Sequence, residues 1–275
     1  MGAYYPDGNG KEYNDEAAYD RGGTTAAQKA VKDCGSSALF LAATLCYTGA
    51  VMLYVYTDIF GQGSDGDLWR AFLQNYTRFQ KFGIAGMVLT VVQFVPLVLI
   101  AVGMWRFYLA CKGEGIPSAG GVMMARAGML FNLILGIISA VLSIGFGILV
   151  FVETSGGHGG GHHVADGRAA ILGMIIGLAL LLVLLIVYYR KAIRCADIVR
   201  DICQRGETEQ NLPVILIVAN FALAFFSVLG LLGKINTQMQ EQLDFVILAG
   251  GVFQIVPEIA MGICILKLRE RLFLV

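Results

Sequence analysis

The chain has 275 residues, 57% hydrophobic and 15% charged, and its 20 Lys and Arg balance its 20 Asp and Glu. Soluble domains carry about 45–50% apolar and about 25% charged residues. Composition and charge therefore exclude an ordinary soluble domain and leave a lipid-embedded chain or one with an outsized core.

Residues 1–34 are polar and include Tyr4, Tyr5, Tyr13 and Tyr19. They lack the cationic start, apolar centre and cleavage site of a secretory signal. Pro6 stands where an N-myristoylation site needs Ser or Thr. This segment reads as a disordered cytoplasmic tail with a short helix near 25–33.

Six apolar stretches follow, at about 36–58, 83–106, 127–152, 169–189, 213–233 and 245–266. Each approaches or exceeds the roughly 20 residues that a helix needs to cross the hydrocarbon. Two-residue alternation is absent, which excludes barrel strands, and only helices or closed barrels satisfy the backbone in lipid. The predicted fold is an all-α integral membrane protein with six transmembrane helices in residues 35–275, read as three helical hairpins in series.

Two further elements are predicted not to span. In 67–81, Leu68, Trp69, Phe72, Leu73, Tyr76 and Phe79 share one helical face, as in an interfacial helix on the outer surface. Residues 188–205 continue span four into the cytoplasm. There Ile193, Ile198 and Ile202 are expected to face a partner or the bilayer, while Arg190, Lys191, Arg194 and Arg200 meet anionic lipid phosphates.

With six spans, fifteen of the twenty Lys and Arg fall on the side of the termini and five on the other. The positive-inside rule then places both termini in the cytoplasm, pointing to a bacterial cytoplasmic membrane. Cys34, Cys111, Cys195 and Cys203 fall on that inner side and Cys46 and Cys264 within spans, so reduced thiols are expected. Gln93-Phe-Val-Pro96 in span two matches Gln254-Ile-Val-Pro257 in span six, which suggests an internal repeat. Gly173-x-x-x-Gly177 and Gly250-Gly251 permit close helix approach.

Three passages carry a resemblance: Val95-Pro-Leu-Val-Leu-Ile-Ala-Val-Gly-Met-Trp-Arg-Phe-Tyr108, Ile186-Val-Tyr-Tyr-Arg-Lys-Ala-Ile193 and Gly262-Ile-Cys-Ile-Leu-Lys-Leu-Arg269. From Ser36 onward the chain resembles functionally unassigned multipass membrane proteins of Clostridia. The resemblance implies a multipass fold but no activity, substrate or catalytic residue. Members of that group often open with a zinc ribbon, for which this chain has no paired cysteines.

Glu258 is the sharpest candidate for chemistry. It stands mid-span after Pro257 and one helical turn from Gln254, so the two share a face. An ionised carboxylate at the bilayer centre costs about 3 kcal/mol on insertion scales. It should therefore face the bundle, protonated or hydrogen-bonded, with Gln93, Asn132 and Asn220 as candidate partners. His158, His162 and His163 form a second candidate, a metal site in a glycine-rich outer loop.

No Walker loop, His-Glu-x-x-His, Gly-x-Ser-x-Gly or nucleophile–base pattern occurs, so an enzyme is not expected and no cofactor is implied. Two roles remain open: a small transporter or channel-like component, and a non-catalytic scaffold or accessory subunit. The partners implied are the bilayer, with anionic lipid at the inner face, and a protein partner or second copy of the chain. No nucleic-acid partner is implied.

Overall fold

A computed structural model describes residues 24–60, 92–156, 162–208, 210–238 and 245–273. Among them are seven helices: α1 Ala26–Gly35, α2 Ala38–Phe60, α3 Val92–Lys112, α4 Gly120–Gly156, α5 His162–Arg205, α6 Val214–Gln238 and α7 Phe245–Phe273. Six of these, α2 to α7, are long and apolar enough to cross a membrane. The protein is an all-α membrane protein. The interfacial helix expected at 67–81 and the tail before residue 24 lie outside the described residues.

The outer surface explains why these helices need lipid. Leu142, Phe146, Leu180, Leu181, Leu184 and Phe226 are exposed, and α4 and α5 bury little of their apolar surface within the chain. So much exposed apolar surface would be an aggregation liability in water and is ordinary in hydrocarbon.

The six spans meet in chain order. Phe40 packs edge-on against Phe107, Tyr54 against Phe94, and Trp105 Nε1 donates to Thr48 Oγ1 at 3.0 Å, joining α2 to α3. Helices α4 and α5, then α6 and α7, pack as further pairs, and α7 closes back on α2. The three expected hairpins are thus packed neighbours in a ring.

The α3–α4 seam depends on missing side chains. A Cβ on Gly121 would lie 2.4 Å from the Phe107 nitrogen, and one on Gly103 would lie 2.5 Å from the Ala125 nitrogen. A Cβ on Gly128 would likewise lie 2.7 Å from the Pro96 carbonyl oxygen. Backbones in lipid gain by such close approach because dispersion, rather than water exclusion, holds helices together there. The expected contact at Gly173 and Gly177 is not made: a Cβ at either position would meet open space. Gly250 and Gly251 do lie in contacts, against the side chains of Leu53 and Leu231.

The short helix expected near residues 25–33 is present as α1, Ala26–Gly35. Thr25 caps α1 with a capping box: its Oγ1 accepts from the Gln28 nitrogen at 3.2 Å, and its own nitrogen donates to Gln28 Oε1 at 3.0 Å. Helix α1 then lies across one end of the ring. Thr25 Oγ1 donates to the Gly206 carbonyl at 2.6 Å, Gln28 Nε2 to the Cys203 carbonyl at 3.4 Å, and Lys32 Nζ to the Gly115 carbonyl at 3.1 Å. Gly206 has a φ of +83°, and a side chain there would collide with Thr25.

Removing the cap by Thr25→Ala should cost about 1–2 kcal/mol locally. Hydrogen exchange should accelerate over residues 26–35 while the spans stay protected. Uniform exchange across the chain would show that α1 is not a separate docked element.

Helix α5 runs unbroken to Arg205, as expected, and its 44 residues extend about 66 Å. That exceeds the roughly 30 Å hydrocarbon thickness. Two expectations for its end are corrected. Ile198 and Ile202 are fully buried in a core shared with Ala27, Ala30 and Val31 of α1, so they face the chain's own helix and not lipid. Arg200 is engaged by Asp197 at 3.0 Å and Asp201 at 2.8 Å, and Asp197 also binds Arg126 of α4 at 2.7 Å. Arg194 donates to Gln210. Of the four expected phosphate ligands, Arg190 is exposed and Lys191 partly exposed, with neither in a described ion pair.

Candidate functional site: a cavity along the axis of the ring

The inward faces of the six spans do not fill the centre. They line a half-open cavity of about 400 Å³ that extends to α1 at Val31 and Cys34. Each helix contributes residues at three- and four-residue spacing, as one helical face must. From α7 these include Gln254, Glu258, Met261, Ile265 and Leu268; from α5, Tyr188, Ala192, Cys195 and Val199.

Glu258 is half-buried and lines the cavity. Ser227 Oγ of α6 donates to its Oε2 at 3.0 Å. No Lys, Arg or His among the described residues lines the cavity, and none is described in an ion pair with Glu258. Pro257 has no N–H, so it cannot donate to the Phe253 carbonyl one turn earlier. Phe253 and Pro257 both line the same wall as Glu258.

Further polar groups line the cavity. Tyr188 lines the same cavity and donates through its hydroxyl to Asn220 Oδ1 at 3.2 Å. Asn220 Nδ2 in turn donates to the Leu216 carbonyl at 2.8 Å, so its amide is fixed from two sides. Asn132 Nδ2 donates to the Tyr189 hydroxyl. Tyr47 also lines the cavity, with Tyr188 and Tyr189.

The expected site is therefore partly assembled. Glu258, Gln254 and Asn220 line one cavity. Asn132 reaches it only through Tyr189. Gln93 is exposed and does not line the cavity, although Pro96 three residues later is fully buried. The two Gln-x-x-Pro motifs thus serve different ends: Pro96 offers its carbonyl side to Gly128, while Pro257 borders the cavity. Tyr47, Tyr188, Tyr189 and Ser227 are the additional members. An aromatic residue near a span end reads as an interfacial anchor in sequence, and their inward aim depends on helix rotation.

The thiols gather below the carboxyl. Cys34 Sγ donates to the Cys264 carbonyl at 3.4 Å, and Cys34, Cys195 and Cys264 line the cavity. All six cysteines are free. The contact with Cys264, and then burial, push the Cys34 thiol well above its ordinary range, which keeps it neutral and unreactive. His158 lies outside the described residues, and of His162 and His163 the structure describes only that they open α5. Among the described residues no cluster of His, Cys, Asp or Glu is arranged to hold a metal ion.

Chemically, the cavity offers one acidic group, three tyrosine hydroxyls, the Asn220 and Gln254 amides, and otherwise mostly apolar and aromatic walls. It has the size of a small-molecule site, roughly 300–1,000 Å³. No protein-family model, curated protein or solved structure matches the chain.

Proposed function

We propose that the protein is a small transporter or channel-like component of the cytoplasmic membrane, with both termini inside and Glu258 as its exchangeable charge. The observation that supports this is a carboxyl on the wall of a central cavity, engaged by one hydroxyl and by no described cation. A carboxyl placed only to hold helices together would be expected in close packing. Here it borders open volume large enough for a solute.

The other titratable groups on the cavity wall are Tyr47, Tyr188, Tyr189, Cys34, Cys195 and Cys264. Ordinary tyrosines and thiols are uncharged at neutral pH. Glu258 alone can therefore alternate between a bound proton and a bound cation. The end closed by α1 is the cytoplasmic end, and the basic residues Arg106, Arg190, Lys191 and Lys267 around it meet the anionic headgroups of the inner leaflet.

The test is flux of protons and of small cations into liposomes carrying the purified full chain. Glu258→Gln should cut the flux at least tenfold, about 1.4 kcal/mol, while the protein keeps its wild-type elution profile. Equal flux from both proteins would remove the transport role from this carboxyl. Recovery of the chain in a fixed stoichiometry with another membrane protein, without flux of its own, would favour the accessory-subunit role.

A further inference from the structure

We propose that the cavity binds a hydrophobic, monovalent organic cation, held by Glu258 as its counter-charge. This deepens the transport reading above by naming the solute class, and it stands on the size, sign and lining of the cavity.

Size excludes the simplest occupant. A bare metal cation would rattle in about 400 Å³, and hard cations such as Ca²⁺ require about six to eight oxygen ligands. Among the described residues no cluster of acidic, His or Cys side chains is arranged to hold a metal ion, and Glu258 is the single carboxylate on the wall. The Tyr188 hydroxyl is bound to Asn220 and the Ser227 hydroxyl to Glu258 itself.

Sign excludes anions. The only charged side chain on the wall is a carboxylate, with no Lys, Arg or His among the described lining residues. One carboxylate balances one positive charge, and a second would be left uncompensated in low dielectric.

The lining excludes strongly hydrated solutes. Sugars and zwitterions need many hydrogen bonds, and Asn220 has both ends of its amide occupied within the protein. What remains is apolar and aromatic. Tyr47, Tyr188, Tyr189 and Phe253 share the cavity wall with Glu258. Aromatic faces attract diffuse organic cations, by about 0.5–2 kcal/mol each depending on desolvation. Met129 and Met261 add polarisable side chains that adapt to irregular shapes. An acidic group set among rings and thioethers fits a cation whose charge is spread under hydrocarbon.

The probe is radiolabelled tetraphenylphosphonium, added to the purified full chain in nanodiscs and measured by equilibrium dialysis. One saturable site per chain is expected. Glu258→Gln should weaken it roughly 30-fold, the loss of one charge partner in a partly buried site. Glu258→Asp should keep it within about threefold. Uncharged triphenylphosphine oxide should fail to compete, and tetramethylammonium should bind at least tenfold more weakly for want of apolar contact.

Tyr188→Leu keeps the charge and removes a ring, and should weaken the probe roughly fivefold. It keeps the inference testable if Glu258→Gln fails to fold. Non-saturable uptake, equal binding by folded Glu258→Gln protein, or equal competition by the phosphine oxide would overturn the inference. So would undiminished binding by Tyr188→Leu beside a misfolded Glu258→Gln. Carboxyl-dependent probe binding without flux would leave this site standing and remove the transporter. Carboxyl-dependent proton flux without probe binding would do the reverse.

Discussion

Ile202→Asp should release α1 from the end of the helix ring. Ile202 has no exposed surface and packs in the core that joins α5 to α1, with Ile198 and Val31 equally enclosed. This part of the fold lies at the end of the bundle, where expulsion of apolar surface from water still stabilises contacts. A carboxylate at that position would find no cation in the core and would lose the apolar contacts of the isoleucine. The two effects together cost about 4 kcal/mol or more. Ile202→Val, which removes one methylene, should cost only about 1 kcal/mol. The expected readout is tryptic cleavage after Lys29 and Lys32 in Ile202→Asp, with protection retained in wild type and Ile202→Val. Equal protection in all three would show that α1 is held by its polar contacts alone. Those include the Asp33–Arg271 pair at 2.6 Å, half-exposed and of little worth by itself.

Gly121→Leu should be as damaging for a different reason. The nearest atoms to a side chain at position 121 are backbone: the Phe107 nitrogen at 2.4 Å and the Gly103 carbonyl at 2.7 Å. Backbone cannot swing aside as a flexible side chain would, so α3 and α4 must separate. Overpacking usually costs about 1–3 kcal/mol, and a leucine against two backbones belongs at the upper end or beyond. The same leucine at Gly173, where no atom lies within 4 Å, should be neutral. Thermal melts in detergent decide between them. A lower midpoint for Gly121→Leu alone fits the seam described here, and equal midpoints would contradict it.

These two substitutions also mark what the sequence could and could not reveal. Span count followed from apolar length, because lipid leaves the backbone no alternative to a helix, and uncharged runs such as 169–187 are unambiguous. The rotation of each helix was not legible in the same way. Gly173-x-x-x-Gly177 has the spacing of a packing motif, yet it faces outward, while Gly103, Gly121 and Gly128 form the seam from two different helices. Spacing along one helix does not say which neighbour it meets. Ile198 and Ile202 were legible as a stripe, but their partner α1 lies about 170 residues earlier in the chain, so the stripe looked unpartnered.

The candidate site divides along the same line. Glu258 and Asn220 could be found because polar groups in a span must turn inward. Gln93 and Gln254 depart from that rule, both being exposed, although Gln254 also borders the cavity. Tyr188 and Tyr189 escaped notice because they stand beside Arg190 at what looks like a membrane boundary. The cavity follows α5 past them to Val199, so both rings line the inside of the helix ring.

The central claim is that Glu258 borders open space inside the membrane. A hydrophobic carbodiimide, which reaches carboxyls from the lipid phase, tests it directly in native membranes. Peptide mass spectrometry should find an adduct on Glu258 that tetraphenylphosphonium suppresses. A Glu258 peptide modified only after the protein is unfolded would contradict the cavity and the functions built on it.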